Sequence, residues 1–280
     1  MALAVVLAPA LAGAQGQSAP PTLSSDLTSD FKYLVNNTTR DAVDIVTSPL
    51  RIGQAGELLR SPRFYLVVAG SAAAMGGSFA LDQTMRSHLN SMSSGDADLL
   101  ENISYSSVSA GTGLLYAYGL YAHDSRAREY ALTAGEGAGL ASLFVLAIKA
   151  ASGRLRPRQD HHDHDAFFHG GQSFVSGDVA PMFALAPALS EYFDNRWYVA
   201  APIYSLALLD GFGRMGHDAH WFSDIVGAAL VGAGTTELLI YLHRYHSEHP
   251  SRFQIFPAAA PAPSSRTSAL PLGVTVAYSW

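Results

Sequence analysis

The chain has no cysteine in its 280 residues. Disulfides are therefore excluded, and either an oxidising or a reducing compartment stays open. It also lacks a basic surplus, with 17 Lys and Arg against 23 Asp and Glu and a formal net charge of −6. That balance gives no reason to expect a nucleic-acid partner. Charge is sparse overall, at 14% of residues against 49% hydrophobic. A chain of this size and content can bury a full core as one domain with tails. It shows no internal repeat, and no alternating strand pattern before Phe253.

Helical patterns fill the space left by these absences. They are expected over Asp26 to Ile45, from Ser61-Pro62 to about His88, and over Ala131 to Ala151 behind an Asp124 cap. Shorter ones follow over Ser176 to Phe193, Trp197 to Leu209 and Trp221 to His243. The expected fold class is all-α, a helical bundle. A small C-terminal β-hairpin is expected from Phe253 to Phe256 and Val274 to Trp280, across a Pro-, Ala- and Ser-rich stretch. A terminal aromatic after such a strand resembles an outer-membrane barrel end, but two strands cannot close a barrel.

The first 14 residues resemble a secretory signal peptide, with an apolar run from Ala2 to Leu11 and Ala12-Gly13-Ala14 before Gln15. A basic segment ahead of the run is missing; the alternative is an Ala-rich tail. The expected organisation is a signal peptide over 1–14, a linker over 15–24, a helical domain over 25–246 and a tail over 247–280. Export to the periplasm or to a membrane surface follows from the signal. Two uncharged runs, Phe64 to Leu81 and Asn102 to His123, are long enough to span a bilayer. Trp197 to Leu209 is too short, and Glu136 and Glu237 interrupt two other helices. A compact soluble or membrane-attached domain is favoured over a six-span protein.

Three clusters carry chemistry: Lys149 with Arg156-Pro157; Ser173-Phe174-Val175-Ser176-Gly177-Asp178; and Arg214 with His220 and Asp224. Taken singly, each has a bland reading. Lys149 can be a solvated helix end, Arg154, Arg156 and Arg158 an exposed basic loop, His220 a core histidine, and Asp224 a helix-surface charge. Together they suit a phosphate. Cations neutralise the equatorial oxygens, and backbone N–H groups of Ser176 and Gly177 before a helix can point at an anion. A neutral His220 can attack phosphorus. Asp224, one helical turn on, can orient its ring.

The spacing resembles the signature of the type 2 phosphatidic acid phosphatase/haloperoxidase superfamily, in its bacterial phosphatase branch. That signature is lysine, six residues, arginine-proline; a serine-glycine-histidine turn; and arginine, five residues, histidine, three residues, aspartate. The resemblance implies a metal-independent phosphatase acting on phosphate monoesters or lipid phosphates. It further implies that Lys149, Arg156, Ser176, Gly177 and Arg214 bind phosphate, that His220 forms a phosphohistidine, and that Asp224 orients it. No metal or cofactor is called for; oligomeric state is left open. The chain departs from the pattern at Asp178, which replaces the histidine that protonates the leaving oxygen, and at Val175, which replaces proline. A carboxylate among these cations is a poor proton donor until a phosphate dianion arrives. Three readings follow: Asp178 is the acid; a histidine of the 161–164 loop, His169 or His217 replaces it; or activity is weak. That His-rich loop could also hold a metal, or simply be solvated. The alternatives for the whole chain are a non-catalytic phosphate- or lipid-binding homologue and a vanadium-dependent haloperoxidase.

Overall fold

A computed structural model describes residues 21–47, 60–159, 165–248, 253–257 and 274–278. Seven helices lie among them: α1 (Leu23–Thr47), α2 (Pro62–Leu89), α3 (Ser94–Tyr121), α4 (Ser125–Ser152), α5 (Val179–Tyr192), α6 (Trp197–Gly216) and α7 (Phe222–Glu248). The fold is all-α, as the missing strand pattern implies. In the tail, β1 (Phe253–Pro257) pairs antiparallel with β2 (Val274–Tyr278), Phe253 opposite Tyr278. The expected signal peptide and the histidines from His161 to His164 lie outside the described residues.

Local signals explain the helix ends. Pro62 opens α2, where its missing N–H is no loss. The Ser93 hydroxyl accepts from the Asp96 N–H to start α3, and the Asp124 carboxylate accepts from the Ala127 N–H to start α4. Gly153 ends α4 with φ +54°, a left-handed conformation that a side chain resists.

The core is organised around α5, whose residues from Val179 to Ser190 are buried apart from Pro181. It packs on α4, α6 and α7. Small residues allow the close approach. A Cβ added at Gly232 of α7 would lie 2.1 Å from the Ala180 carbonyl oxygen, and one at Gly137 of α4 1.9 Å from the Thr236 hydroxyl. Sequence spacing alone shortens α6. It continues past Asp210 to 20 residues, about 30 Å at roughly 1.5 Å per residue.

The outside of the bundle is unusually apolar. Three helices, α2, α4 and α7, are long and apolar enough to cross a membrane. This corrects the expectation that Glu136 and Glu237 disqualify two of them and that Asn102 to His123 is a candidate instead. Tyr65, Leu66, Val67 and Val68 of α2 are all exposed. Helix α1 is inverted: Asp26, Asp30 and Asp41 are buried against the bundle, while Leu23, Leu27 and Phe31 face outward. Polar-in and apolar-out is the pattern of a helix against lipid, and the protein is membrane-associated in character.

Candidate active site

The site forms at one end of the bundle. Helix α4 delivers Lys149 in its last turn, the chain after Gly153 delivers Arg154 and Arg156, and the start of α5 carries Asp178. The end of α6 delivers Arg214, and His220 lies just before α7. Lys149, Arg156, Ser176, Gly177, Asp178, Arg214, His220 and Asp224 all gather there.

Asp224 is the hub. One carboxylate oxygen accepts from the Ser173 hydroxyl at 2.5 Å and from the Trp221 N–H at 2.9 Å, and it faces His220 Nδ1 at 3.4 Å. The other accepts from Arg154 at 2.6 Å. Arg154 is fully buried and reaches Asp82 of α2 with its second arm at 2.7 Å. Its guanidinium lies among the rings of Phe79, Phe167 and Trp221, 5.0 to 5.5 Å from their centroids. Asp82 also accepts from the Ser223 N–H and hydroxyl, both at 2.7 Å. A continuous strut therefore runs Asp82–Arg154–Asp224–His220. Arg154 is not part of an exposed basic loop, and Asp82 carries no motif signal at all.

His220 is buried, and its pKa is lowered. Burial is the main cause, aided by the nearby cations Lys149 and Arg156 and opposed by Asp224. The ring is thus neutral at neutral pH, as a nucleophile requires. If Nδ1 carries the proton toward Asp224, Nε2 presents its lone pair.

The candidate anion-binding groups are arranged unevenly. Lys149 donates to the Gln172 carbonyl at 2.5 Å, and its stem passes 3.5 Å from where a Cβ at Gly177 would sit. Arg156 has no carboxylate partner among the described residues; burial, Arg158 and Arg214 lower its pKa, so an anion would relieve it. Ser176 corrects one expectation: its N–H donates to the Asp224 carbonyl at 3.2 Å and cannot also point at an anion. Its buried hydroxyl has no partner and is the group that could meet a phosphate oxygen.

Asp178 lies against Arg214, with 3.0 Å between carboxylate and guanidinium, and Tyr105 donates to it at 3.4 Å. Glu101 approaches Arg214 at 3.5 Å. Asp210, one turn before Arg214 on α6, is fully buried, and neither of its oxygens has a hydrogen-bond partner. Burial, with Asp178 and Glu101 as like charges, pushes its pKa up to about 7. Of the histidines considered as substitute acids, His217 is held by Asp98 at 3.0 Å and Glu101 at 3.6 Å. His169 turns back to the Phe167 carbonyl at 2.6 Å.

A family model described as the PAP2 superfamily matches residues 130–248. Over these residues the chain is similar to the PAP2 superfamily. The match contains every signature residue named above. It begins inside α4, so Asp82, Glu101 and Tyr105 fall before it. No curated protein and no solved structure matches the chain. This similarity supports phosphatase-type activity in general terms.

Proposed function

We propose that this protein is a membrane-associated phosphatase that hydrolyses lipid phosphates or other phosphate monoesters through a phosphohistidine on His220. The observation that carries this reading is a buried His220 whose Nδ1 faces Asp224 at 3.4 Å, with the cations Lys149 and Arg156 nearby.

In the first step, His220 Nε2 attacks phosphorus, the N–P bond forms and the ester P–O bond breaks. The Nδ1–H faces Asp224, which stabilises the positive charge gathering on the ring. Lys149, Arg156 and Arg214, with the Ser176 hydroxyl and the N–H of Gly177, offset charge on the equatorial oxygens. Asp178, in its acid form, gives its proton to the leaving oxygen. In the second step it takes a proton from the water that attacks phosphorus; the N–P bond breaks and inorganic phosphate leaves.

Exposed apolar surface on α2 favours lipid phosphates over soluble esters. An apolar groove of about 480 Å³ between α3, α5 and α6, lined by Val108, Leu114, Leu189 and Ile203, begins one turn beyond Tyr105 and offers room for an acyl chain. One observation favours a second, non-catalytic reading: Arg214 is already neutralised by Asp178. Phosphate release from the purified protein in detergent micelles tests both readings, with phosphatidic acid, a polyprenyl diphosphate, lipid A and p-nitrophenyl phosphate as substrates. Turnover of a lipid phosphate above the soluble ester is the expected result. Binding without turnover of any substrate would leave the second reading.

A further inference from the structure

A second polar cluster lies at the other end of the bundle. Nineteen residues of α7 separate Asp224 from His243, about 28 Å at roughly 1.5 Å per residue. There Asp41 of α1, Glu136 of α4 and His243 of α7 each turn one ligand-type atom to a common point, all within 4.8 Å of one another. His243 Nε2 shares a hydrogen bond with Asp41 at 2.6 Å, which an ion would have to replace, and stands 3.9 Å from Glu136. For comparison, ligands on a tetrahedral ion with bonds of about 2.1 Å stand about 3.4 Å apart.

Glu136 is the observation that needs an explanation. Its side chain is 4% exposed, and neither carboxylate oxygen has a partner at full hydrogen-bonding distance, Thr38 being the one hydroxyl that approaches it. The second Asp41 oxygen and His246 Nδ1 are also buried without one, 4.0 Å apart. A buried carboxylate facing a second carboxylate is costly unless something positive lies between them. The imidazoles are oriented for that role. The Tyr33 hydroxyl at 3.1 Å holds His243 Nδ1, leaving Nε2 toward the acids. Asp44 at 2.7 Å holds His246 Nε2, leaving Nδ1 toward Asp41. A ring nitrogen fixed by a carboxylate or hydroxyl while the other faces a common centre is how metal-binding histidines are supported.

We propose that Asp41, Glu136 and His243, with His246 beside them, bind one divalent transition-metal ion of the zinc type. Two carboxylates and neutral imidazole suit a borderline ion, and the absence of cysteine leaves no softer ligand. The ion ties α1 to α4 and α7, which α1 otherwise meets through ion pairs such as Asp30 with Arg128 at 3.0 Å. It takes no part in hydrolysis.

The test uses full-length protein in detergent, stripped with chelator, reloaded with Zn²⁺ and desalted. Bound metal is measured by elemental analysis and affinity by calorimetry. One zinc per chain is expected, with micromolar or tighter affinity. Glu136→Gln, nearly the same shape, should lose at least about 100-fold in affinity, and Tyr33→Phe about 10-fold through its orienting role. Replacing His161, His162 and His164 by alanine should leave one zinc bound. Zinc should also slow tryptic cleavage after Lys32 and Arg40 of α1 in the native chain but not in Glu136→Gln. Phosphate release should be the same in Glu136→Gln as in the native protein, so failure of the metal site and failure of the phosphatase reading are distinguishable. A stripped chain that retains no zinc would overturn the proposal, as would zinc held equally by Glu136→Gln and lost with the three histidines.

Discussion

Asp178 and Arg214 form an ion pair at 3.0 Å, so the residue standing where the superfamily signature has its acid histidine is bound to one of the cations proposed to hold phosphate. Arriving phosphate must compete for Arg214. In doing so it would free Asp178 from its ion pair with Arg214. Under the proposed mechanism, substrate binding and the release of Asp178 are thereby coupled.

From this coupling, Asp178→Asn should slow esters with poor leaving groups by about 10² to 10⁴-fold while sparing p-nitrophenyl phosphate, whose leaving group needs little proton help. Asp178→His should recover the poor leaving groups. Rates for an alkyl and a nitrophenyl ester, measured side by side, decide it; equal losses on both would make Asp178 structural.

His220→Ala should abolish both turnover and a phosphoenzyme that is labile in acid and stable in base. Asp224→Asn should retain substrate affinity and lose up to about 10⁴-fold in rate, because the ring is left in the wrong tautomer. Rapid quench with radiolabelled substrate reads both variants. Because the His220 pKa is lowered, native activity should persist below the ordinary histidine range and fall only once the ring protonates.

Asp82→Asn tests the strut behind the nucleophile. It weakens one arm of the buried Arg154 and should cost stability, since breaking a buried pair typically costs about 3–5 kcal/mol. It should lower kcat with little change in KM, because Asp82 acts through Arg154 and Asp224 rather than on substrate. A fall in KM-linked binding alone would point instead to a distorted phosphate pocket.

Asp210 ties stability to pH. In the folded chain its carboxyl keeps its proton to about pH 7, whereas in the unfolded chain it ionises near the ordinary value of about 4. Between those values the unfolded state binds fewer protons, so stability falls as pH rises through that window. Melting temperatures at pH 5 and 8 should show a drop that Asp210→Asn largely removes. An unchanged drop in the variant would locate the effect elsewhere.

The signature residues were legible because a phosphate site demands fixed residue types, and helices convert those demands into fixed spacings. Lys149, Arg156, Arg214, His220 and Asp224 were read that way. Asp82, Asp210 and Glu136 were not, although each was visible as a boundary: Asp82 ends the uncharged run from Phe64, Asp210 ends the one from Trp197, and Glu136 interrupts α4. A single charge in an apolar run says that something will satisfy it, but its partner lies on another helix. Asp82 meets Arg154 across 72 residues, a pairing no local pattern encodes. Helix α1 was legible as a helix but not as an inverted one, since only the bundle decides which face is covered.

The strut that fixes His220 begins on α2, upstream of the region matching the superfamily. A chain trimmed to residues 130–248 would hold every signature residue and still take from Arg154 the carboxylate of Asp82. The smallest heritable unit of this catalyst is therefore larger than its recognisable domain. Homologues that share the three signature segments but lack an acidic residue at the position of Asp82 must hold their nucleophile by some other means.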